Sequence, residues 1–292
     1  MDLAKVNDYI PSEVEVEAAV HHLRPHKVES LTSTRYTSNS GQGRRILRRS
    51  ERTPPNGALD VSVRHLQHMW RTGKIPQELG WTVLFLIPKG TNYTRFIGLI
   101  DTLWKVLEVI IDTRLRSSLQ MHDVLHRFRD RRGTRTAIME LKLAQELSSI
   151  DHDPLFLVFL DLMKAYDTLD REHLLMTLEG YGAGPGRFGL LETFWSRQQV
   201  VPIHNGFHGP DLPATRGTTK CGLVSPTLFN VVVDNVIRTC LYITVEEHRV
   251  AHDGLEDTVG RCLGVFYADD GMVISRYVGW LKHSMNFIVS LF

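Results

Sequence analysis

The stretch "LGVFYADDGMVIS", Leu263 to Ser275, decides how this chain is read. From Leu263 to Ala268 every position except Gly264 is apolar or aromatic, and Met272 to Ile274 are apolar again. Such residues favour strands, and Asp-Asp-Gly between them is turn chemistry. The pattern predicts a β-hairpin with Asp269 and Asp270 at its tip. On its own the pair has a plain explanation, because Asp and Gly make good turns and Asp faces water.

A further carboxylate changes that reading. In "PLFLVFLDLMKAYDTLD", Pro154 to Asp170, an apolar run fits a buried strand that emerges at Asp161. An ionised carboxylate beside such a run needs a partner, since burying an unpaired charge is costly. Two carboxylates brought to 4 Å repel by about 4 kcal/mol at an effective dielectric of 20. A divalent cation removes the repulsion, and carboxylate oxygens are the hard ligands that Mg²⁺ takes. Two such ions roughly 3.5–4 Å apart clamp the attacking and leaving oxygens of a phosphoryl transfer.

The whole-chain numbers are those of an ordinary globular protein: 292 residues, 42% hydrophobic, 23% charged, net charge +1. That length suits one large domain or two subdomains. The charge is unevenly spread. Residues 35–52 hold six Arg against Glu51, and "RFRDRRGTR" (127–135) holds five Arg against Asp130. Residues 151–180 carry seven acids against Lys164 and Arg171. Basic segments around an acidic centre suit a polyanion held at a metal site, although Arg-rich stretches are also ordinary solvated loops. The three cysteines, Cys221, Cys240 and Cys262, form no CxxC pair and are odd in number. Neither a zinc site nor a disulfide framework is indicated, and a reducing, intracellular compartment fits. The longest apolar run, Leu155 to Leu160, is too short to span a membrane, and the N-terminus lacks a signal-peptide pattern.

Along the chain, residues 12–24 read as a short amphipathic helix and residues 28–57 as a polar loop or poorly ordered segment. Helical periodicity returns at 60–72, 99–119 and 134–150, with a strand "WTVLFLIPKG" that stops at Pro88. After Asp161, "REHLLMTLEGYG" reads as a helix with a glycine stop. Asn205-Gly206 in "QQVVPIHNGFHG" is a strong hairpin signal. Ser225 and Pro226 are the N-cap and first position of a helix "SPTLFNVVVDNVIRTCL". Leu281, Met285, Ile288 and Phe292 mark one face of a closing helix.

Asp161 in "FLDLMKAYDTLDR", followed 108 positions later by Asp269-Asp270 in "FYADDGMVIS", resembles the palm of a reverse transcriptase. Between them "RGTTKCGLVSPTLFNVVVDNVI" is similar to that family's template-contacting helix motif, typically Gln-Gly-x-x-x-Ser-Pro-x-x-Phe-Asn. Upstream, "IPKGTNYTRFIGLIDTLWKVLEVIIDTRL" and "FRDRRGTRTAI" resemble the fingers motifs of the non-LTR retrotransposon and group II intron branch. The resemblance covers about residues 60–292, with the motifs in family order.

The resemblance implies an α+β fold. Residues 1–59 would be an N-terminal helix and flexible segment, 60–150 the fingers, and 151–292 a ferredoxin-like palm of β-α-β-β-α-β type without its last strand. It implies an RNA-directed DNA polymerase joining dNTPs to a primer 3′-OH on an RNA template with two Mg²⁺ ions, Mn²⁺ being a substitute. Asp161 and Asp269, with the Leu162 carbonyl, would hold both metals, and Asp270 would be the third carboxylate. Tyr166 would close off the space for a 2′-hydroxyl, the group that separates ribo- from deoxynucleotides. Plain packing is the alternative for Tyr166, and a solvated turn for Asp270. Lys89 and Arg95 would reach the triphosphate, Lys220 and Phe229 would border the nucleotide, and Arg129, Arg131, Arg132 and Arg135 would track the template backbone. The resemblance further implies an intracellular place of action, nuclear for a eukaryotic element, and no membrane.

Four departures stand against the family pattern. Lys220-Cys221 replaces Gln-Gly, where Gly permits close backbone approach and Gln can accept a hydrogen bond. Arg95-Phe96-Ile97 replaces Arg-Pro-Ile. The opening segment lacks the family's Gly and Asp. The chain stops before the last palm strand and the thumb, which predicts an exposed sheet edge and an uncovered apolar helix face. The competing reading is a catalytically inactive nucleic-acid-binding remnant, and a third is an unstable relic. A viral-type RNA polymerase typically carries Gly-Asp-Asp instead of Tyr-Ala-Asp-Asp and lacks an aromatic at the Tyr166 position.

Overall fold

Ser12 opens the first helix by a reciprocal cap. Its hydroxyl accepts from the Glu15 N–H, and the Glu15 carboxylate accepts from the Ser12 N–H. The computed structural model describes residues 9–23, 56–89, 93–152, 154–162, 164–183, 185–204, 207–219, 221–251, 264–276 and 278–291. Most of the polar segment 28–57, and the Asn205-Gly206 turn, lie outside these residues.

The elements run α1 (Glu13–His22), α2 (Asn56–Thr72), β1 (Trp81–Lys89), β2 (Tyr93–Leu99), α3 (Thr102–Ser118) and α4 (Thr134–Asp151). Then come β3 (Phe156–Asp161), α5 (Ala165–Thr168), α6 (Arg171–Gly180), α7 (Pro185–Arg197), β4 (Gln199–His204), β5 (Phe207–His208) and β6 (Leu212–Pro213). The chain continues with α8 (Ser225–Ala251), β7 (Gly264–Tyr267), β8 (Asp270–Ser275) and α9 (Val278–Leu291). These form two compact units, one of residues 1–118 and 178–225, the other of residues 119–177 and 226–292. The division is not sequential, because the chain leaves the first unit at Ser118 and returns to it at Leu178.

The first unit is built on a sheet in the order β2-β1-β4, with β5 and β6 both paired to β4. β1 and β2 are antiparallel from Val83↔Leu99 to Lys89↔Tyr93, while β1 and β4 are parallel from Trp81↔Gln199 to Phe85↔Ile203. That parallel pairing draws 199–204 back to 81–85. β1 also passes through Pro88 instead of stopping there. Pro88 pairs with Thr94 of β2, and the β4 ladder has ended by Phe85, so the missing N–H breaks no bond there. Helix α3 begins at Asp101, whose carboxylate accepts the Leu103 N–H at 2.7 Å. It carries the core: Trp104, Leu107, Ile111 and Leu115 are fully buried, and Trp104 stacks on Phe194 of α7 with ring centroids 3.9 Å apart. Arg114 of α3 holds both Glu15 oxygens and lies 4.8 Å over the Trp70 ring, joining α1, α2 and α3.

The second unit has a three-stranded antiparallel sheet in the order β3-β8-β7. Leu125 adds a short parallel bridge to β7: the Phe266 N–H donates to the Val124 carbonyl and the His126 N–H to the Phe266 carbonyl. α4 packs through Ala137 and Leu141 on Val265, Met272, Ile274, Leu155 and Leu157. α9 lies against β8 and β3. β3 differs from its sequence reading. Its continuous apolar run predicts burial, but it is the edge of the described sheet, half-buried, with Phe159 77% exposed. A run without alternation cannot show which strand lies at an edge. α4 likewise leaves Met139, Leu143 and Ile150 exposed.

Candidate active site

Asp161 ends β3 directly opposite Asp270 at the start of β8, and Tyr267 pairs with Asp270 from the other side. Directly opposed residues project from the same face, so these three side chains share one end of one sheet face. The hairpin loop is only Ala268 and Asp269, one residue earlier than Asp-Asp-Gly predicts. Ala268 has φ 60°, the left-handed conformation that the first position of such a primed turn requires and that Gly usually supplies. Gly271 is therefore a strand residue with a packing role: a Cβ there would stand 2.8 Å from the Phe266 ring. The Asp269 carbonyl accepts the Leu162 N–H at 3.1 Å, which ties the loop to the residue following Asp161.

Asp161 and Asp270 are exposed and Asp269 is half-buried. Among the described residues none of the three carboxylates has a hydrogen-bond or ion-pair partner. Also among the described residues, no group of three or more His, Cys, Asp or Glu is arranged to hold a metal. What faces the solvent is a pair of like charges directly opposite, an arrangement that destabilises a ladder unless a cation intervenes. Mg²⁺ takes one or two carboxylates and completes its shell with waters and substrate phosphates, so Asp161 with a carboxylate of the neighbouring hairpin suits it chemically.

Tyr166 lies within electrostatic reach of Asp269. The chain turns after β3 through Lys164, at φ 52°, and folds Ala165–Thr168 back as α5. The Tyr166 ring then lies against Phe229 of α8, centroids 4.8 Å apart and planes 32° apart. Phe229 is 1% exposed, so it backs Tyr166 instead of facing solvent. Burial pushes the Tyr166 phenol up to about 12. The Arg127 guanidinium opposes the shift and the Asp269 carboxylate adds to it.

The Arg-rich segment divides in two. Arg129 donates to the His122 and Leu125 carbonyls at 2.6 and 3.1 Å, and burial lowers its pKa. Arg132 binds the Asp123 carboxylate at 2.6 Å and Glu140 at 3.2 Å. Both therefore hold the turn itself, together with buried His126, whose ring nitrogens meet Thr136 and Glu140. Arg131 and Arg135 are exposed. Arg127 was not singled out from the sequence, where it is one arginine among five. Its guanidinium sits 5.1 Å over the Tyr267 ring, its carbonyl accepts from Asn230 Nδ2 at 2.8 Å, and its charge reaches Tyr166. Phe159 is a second such residue, since strand alternation sets its exposed ring on the Asp161 face.

The other candidates belong to the first unit. Lys89 and Arg95 lie on paired strands, with Lys89 opposite Tyr93 and Arg95 opposite Ile87. Lys220 lies outside the described residues. Cys221, standing where the family pattern has Gly, is exposed and adopts φ 63°. The backbone keeps a conformation suited to Gly while carrying a side chain. Left-handed backbone costs an L-residue about 1–2 kcal/mol, partly offset by the greater freedom of Gly when unfolded. Cys221→Gly is therefore expected to raise stability by about 0.5–1 kcal/mol. A urea titration checks this, and a fall in the midpoint would overturn it.

The profile described as "Reverse transcriptase (RNA-dependent DNA polymerase)" matches residues 87–289. The chain is 24% identical over 217 residues to the retrovirus-related Pol polyprotein of the type-2 retrotransposable element R2DM of Drosophila melanogaster. That match covers 72% of this chain and 20% of the relative. It is 28% identical over 225 residues to the transposon TX1 149 kDa protein of Xenopus laevis, covering 73% of this chain and 16% of the relative. The chain thus spans a fifth or less of these relatives. Among solved structures, apo telomerase from Candida tropicalis truncated from its C-terminal domain has TM-score 0.51 at 13% identity, covering 74% of this chain and 47% of that one. The same enzyme with a fragment of telomeric RNA has TM-score 0.50 at 11% identity, covering 76% and 41%. The structural likeness concerns the fold. The motifs, their order and the profile spanning most of the chain agree, and the chain belongs to the reverse transcriptase family.

Proposed function

We propose that this domain extends a DNA primer on an RNA template, adding dNTPs to the 3′-OH. The observation that carries the reading is Asp161 facing Asp270 across β3 and β8, with Asp269 in the loop between β7 and β8. Asp161 and Asp269, with the Leu162 carbonyl, are the proposed holders of two Mg²⁺ or Mn²⁺ ions, and Asp270 lies nearer the primer terminus. When bound, those ions supply charge neutralisation at the attacking and leaving oxygens. The order β3-β8-β7, with α8 and α9 between and after the strands, supports a ferredoxin-like palm. In this reading residues 60–150 supply the fingers.

Tyr166, neutral with its phenol pushed up to about 12, bounds the sugar by shape, with Phe229 behind it. Lys89 and Arg95 offer charge to the triphosphate, and Lys220 borders the nucleotide. Arg127 is placed at the sugar side beside Tyr166, because its guanidinium acts on the Tyr166 hydroxyl and stands over Tyr267, the partner of Asp270. Arg131 and Arg135 are the exposed pair for template phosphates, while Arg129 and Arg132 keep the turn in shape. Among the described residues no helix is long and apolar enough to cross a membrane. The place of action inferred is intracellular, and nuclear for a eukaryotic element.

Primer extension on poly-rA/oligo-dT with Mg²⁺ or Mn²⁺ tests the reading. Extension with dNTPs is expected. A preference for ribonucleotides would overturn it, and folded protein that binds RNA without extending the primer would favour the inactive remnant. Arg127→Ala is expected to raise the dNTP KM about 10-fold with kcat less affected, as loss of a positioning charge would. An unchanged KM would remove Arg127 from the site.

A further inference from the structure

Helix α3 buries a carboxylate that the polymerase reading leaves unused. Glu108 is 1% exposed. Its Oε1 accepts the Trp104 indole N–H at 3.0 Å and its Oε2 accepts the Leu223 backbone N–H at 2.6 Å. The Trp104 ring is fixed by its stack on Phe194, with the planes 4° apart. Gly222 approaches so closely that a Cβ would stand 2.9 Å from Glu108 Oε1 and 2.7 Å from Ser225 Oγ. The same loop closes on itself, because the Gly222 N–H and the Ser225 hydroxyl both donate to the Thr219 carbonyl at 2.9 Å. Gln198 reaches the Thr219 and Thr82 hydroxyls at 3.3 Å. A loop outside any strand is thus fastened to the body of its unit by buried polar groups.

We propose that Glu108 is a positioning residue for the loop Thr219–Ser225, which carries Lys220 and Cys221, and that by holding this loop it sets the affinity for the incoming nucleotide. The second half rests on the reading of Lys220 as a nucleotide contact. The chemistry requires the ionised form. A carboxylate accepts at both oxygens, whereas a protonated acid or an amide presents one good acceptor and a donor. Set against two N–H donors, either neutral group leaves one donor unmet.

Burial raises the Glu108 carboxyl from 4.5 to about 7. The Leu223 N–H, the Trp104 indole and the charge of Lys105 oppose this, and Asp112 adds to it. Thr219, Gly222, Leu223 and Ser225 on the loop, and Phe194 behind Trp104, carry no charge, and Cys221 is exposed. The loop should therefore tighten as pH rises through about 7. Folding stability runs the other way. The folded value lies above the unfolded one, so this group's contribution is fully present below about 4.5 and is lost as pH rises through about 7. Opposite trends separate loop loosening from general unfolding.

Hydrogen exchange on the full chain, expressed as protection factors, reads the loop without any need for polymerase activity. The Leu223 amide is expected to be about 10-fold better protected at about pH 8 than at about pH 6, with β1 and β2 unchanged. Trp104→Phe keeps the stack and removes one donor, so the midpoint should move up. Glu108→Gln should lose the protection at both pH values. Protection independent of pH in the unsubstituted chain, or a midpoint unmoved by Trp104→Phe, would overturn the positioning role. In primer extension the dNTP KM should follow the same midpoint at nearly constant kcat. A KM that ignores the midpoint while protection follows it would overturn the nucleotide half alone.

Discussion

Asp269→Ala is expected to reduce primer extension by at least about 10³-fold, roughly 4 kcal/mol of transition-state stabilisation, while leaving the hairpin folded. The contact that ties the loop to β3 is made by the Asp269 carbonyl to the Leu162 N–H and survives the substitution. The carboxylate has no hydrogen-bond or ion-pair partner among the described residues, so its removal orphans no donor among them. It also lowers the crowding of negative charge around Asp161 and Asp270, which face each other across the ladder. Asp269 lies in the loop beside that opposed pair, so removing its charge relieves repulsion without breaking a ladder contact, and thermal stability without metal should hold or rise slightly. Activity and stability moving in opposite directions is the signature of a carboxylate kept for its ligand. Asp161→Asn should show the same split. Extension surviving above about a tenth of the original rate, or a clear drop in unfolding temperature, would mean that these residues are turn formers and not metal holders.

The hairpin was legible because its evidence is local: two strand-forming runs around turn residues. The placement of its turn was not, because Ala268 carries the left-handed conformation without the usual Gly to announce it, and the visible Gly271 serves the Phe266 ring instead. Asp161 stood out as the charge ending an apolar run. The exposure of Phe159 did not, since edge position depends on pairing elsewhere in the chain. The parallel ladder between Trp81–Phe85 and Gln199–Ile203 joins segments more than a hundred residues apart, and α7 with its buried Phe194 falls in a stretch the periodicity did not single out. Polar partners are equally silent. The five arginines of 127–135 look alike in sequence. Yet Arg129 and Arg132 are bound to protein acceptors, Arg131 and Arg135 face solvent, and Arg127 turns to Tyr267. Glu108 sits in an amphipathic helix pattern as one acid among others, and only the arriving Leu223 N–H makes it a buried acceptor.

Tyr166→Val is expected to cut discrimination against ribonucleotides by about 10²-fold, or about 2.7 kcal/mol, with dNTP efficiency changed only a few-fold. The ring is held from behind by Phe229, 4.8 Å away and 1% exposed, so it cannot retreat to admit a 2′-hydroxyl. Valine removes most of the ring and leaves space in front of Phe229. The lost ring pair should cost about 0.5–1.5 kcal/mol of stability, small enough for the variant to fold. Tyr166→Phe separates shape from hydrogen bonding. If the ring excludes the hydroxyl by volume, phenylalanine keeps the discrimination, because the phenol contributes no charge. Burial pushes that phenol up to about 12, so it stays protonated throughout the neutral and mildly alkaline range, and selectivity should not vary with pH there. Competition between dNTP and rNTP in single-nucleotide extension decides among these outcomes. Discrimination retained in Tyr166→Val would reduce Tyr166 to a packing residue. Loss in Tyr166→Phe as well would assign the selectivity to the hydroxyl, beside which the Arg127 and Asp269 charges lie.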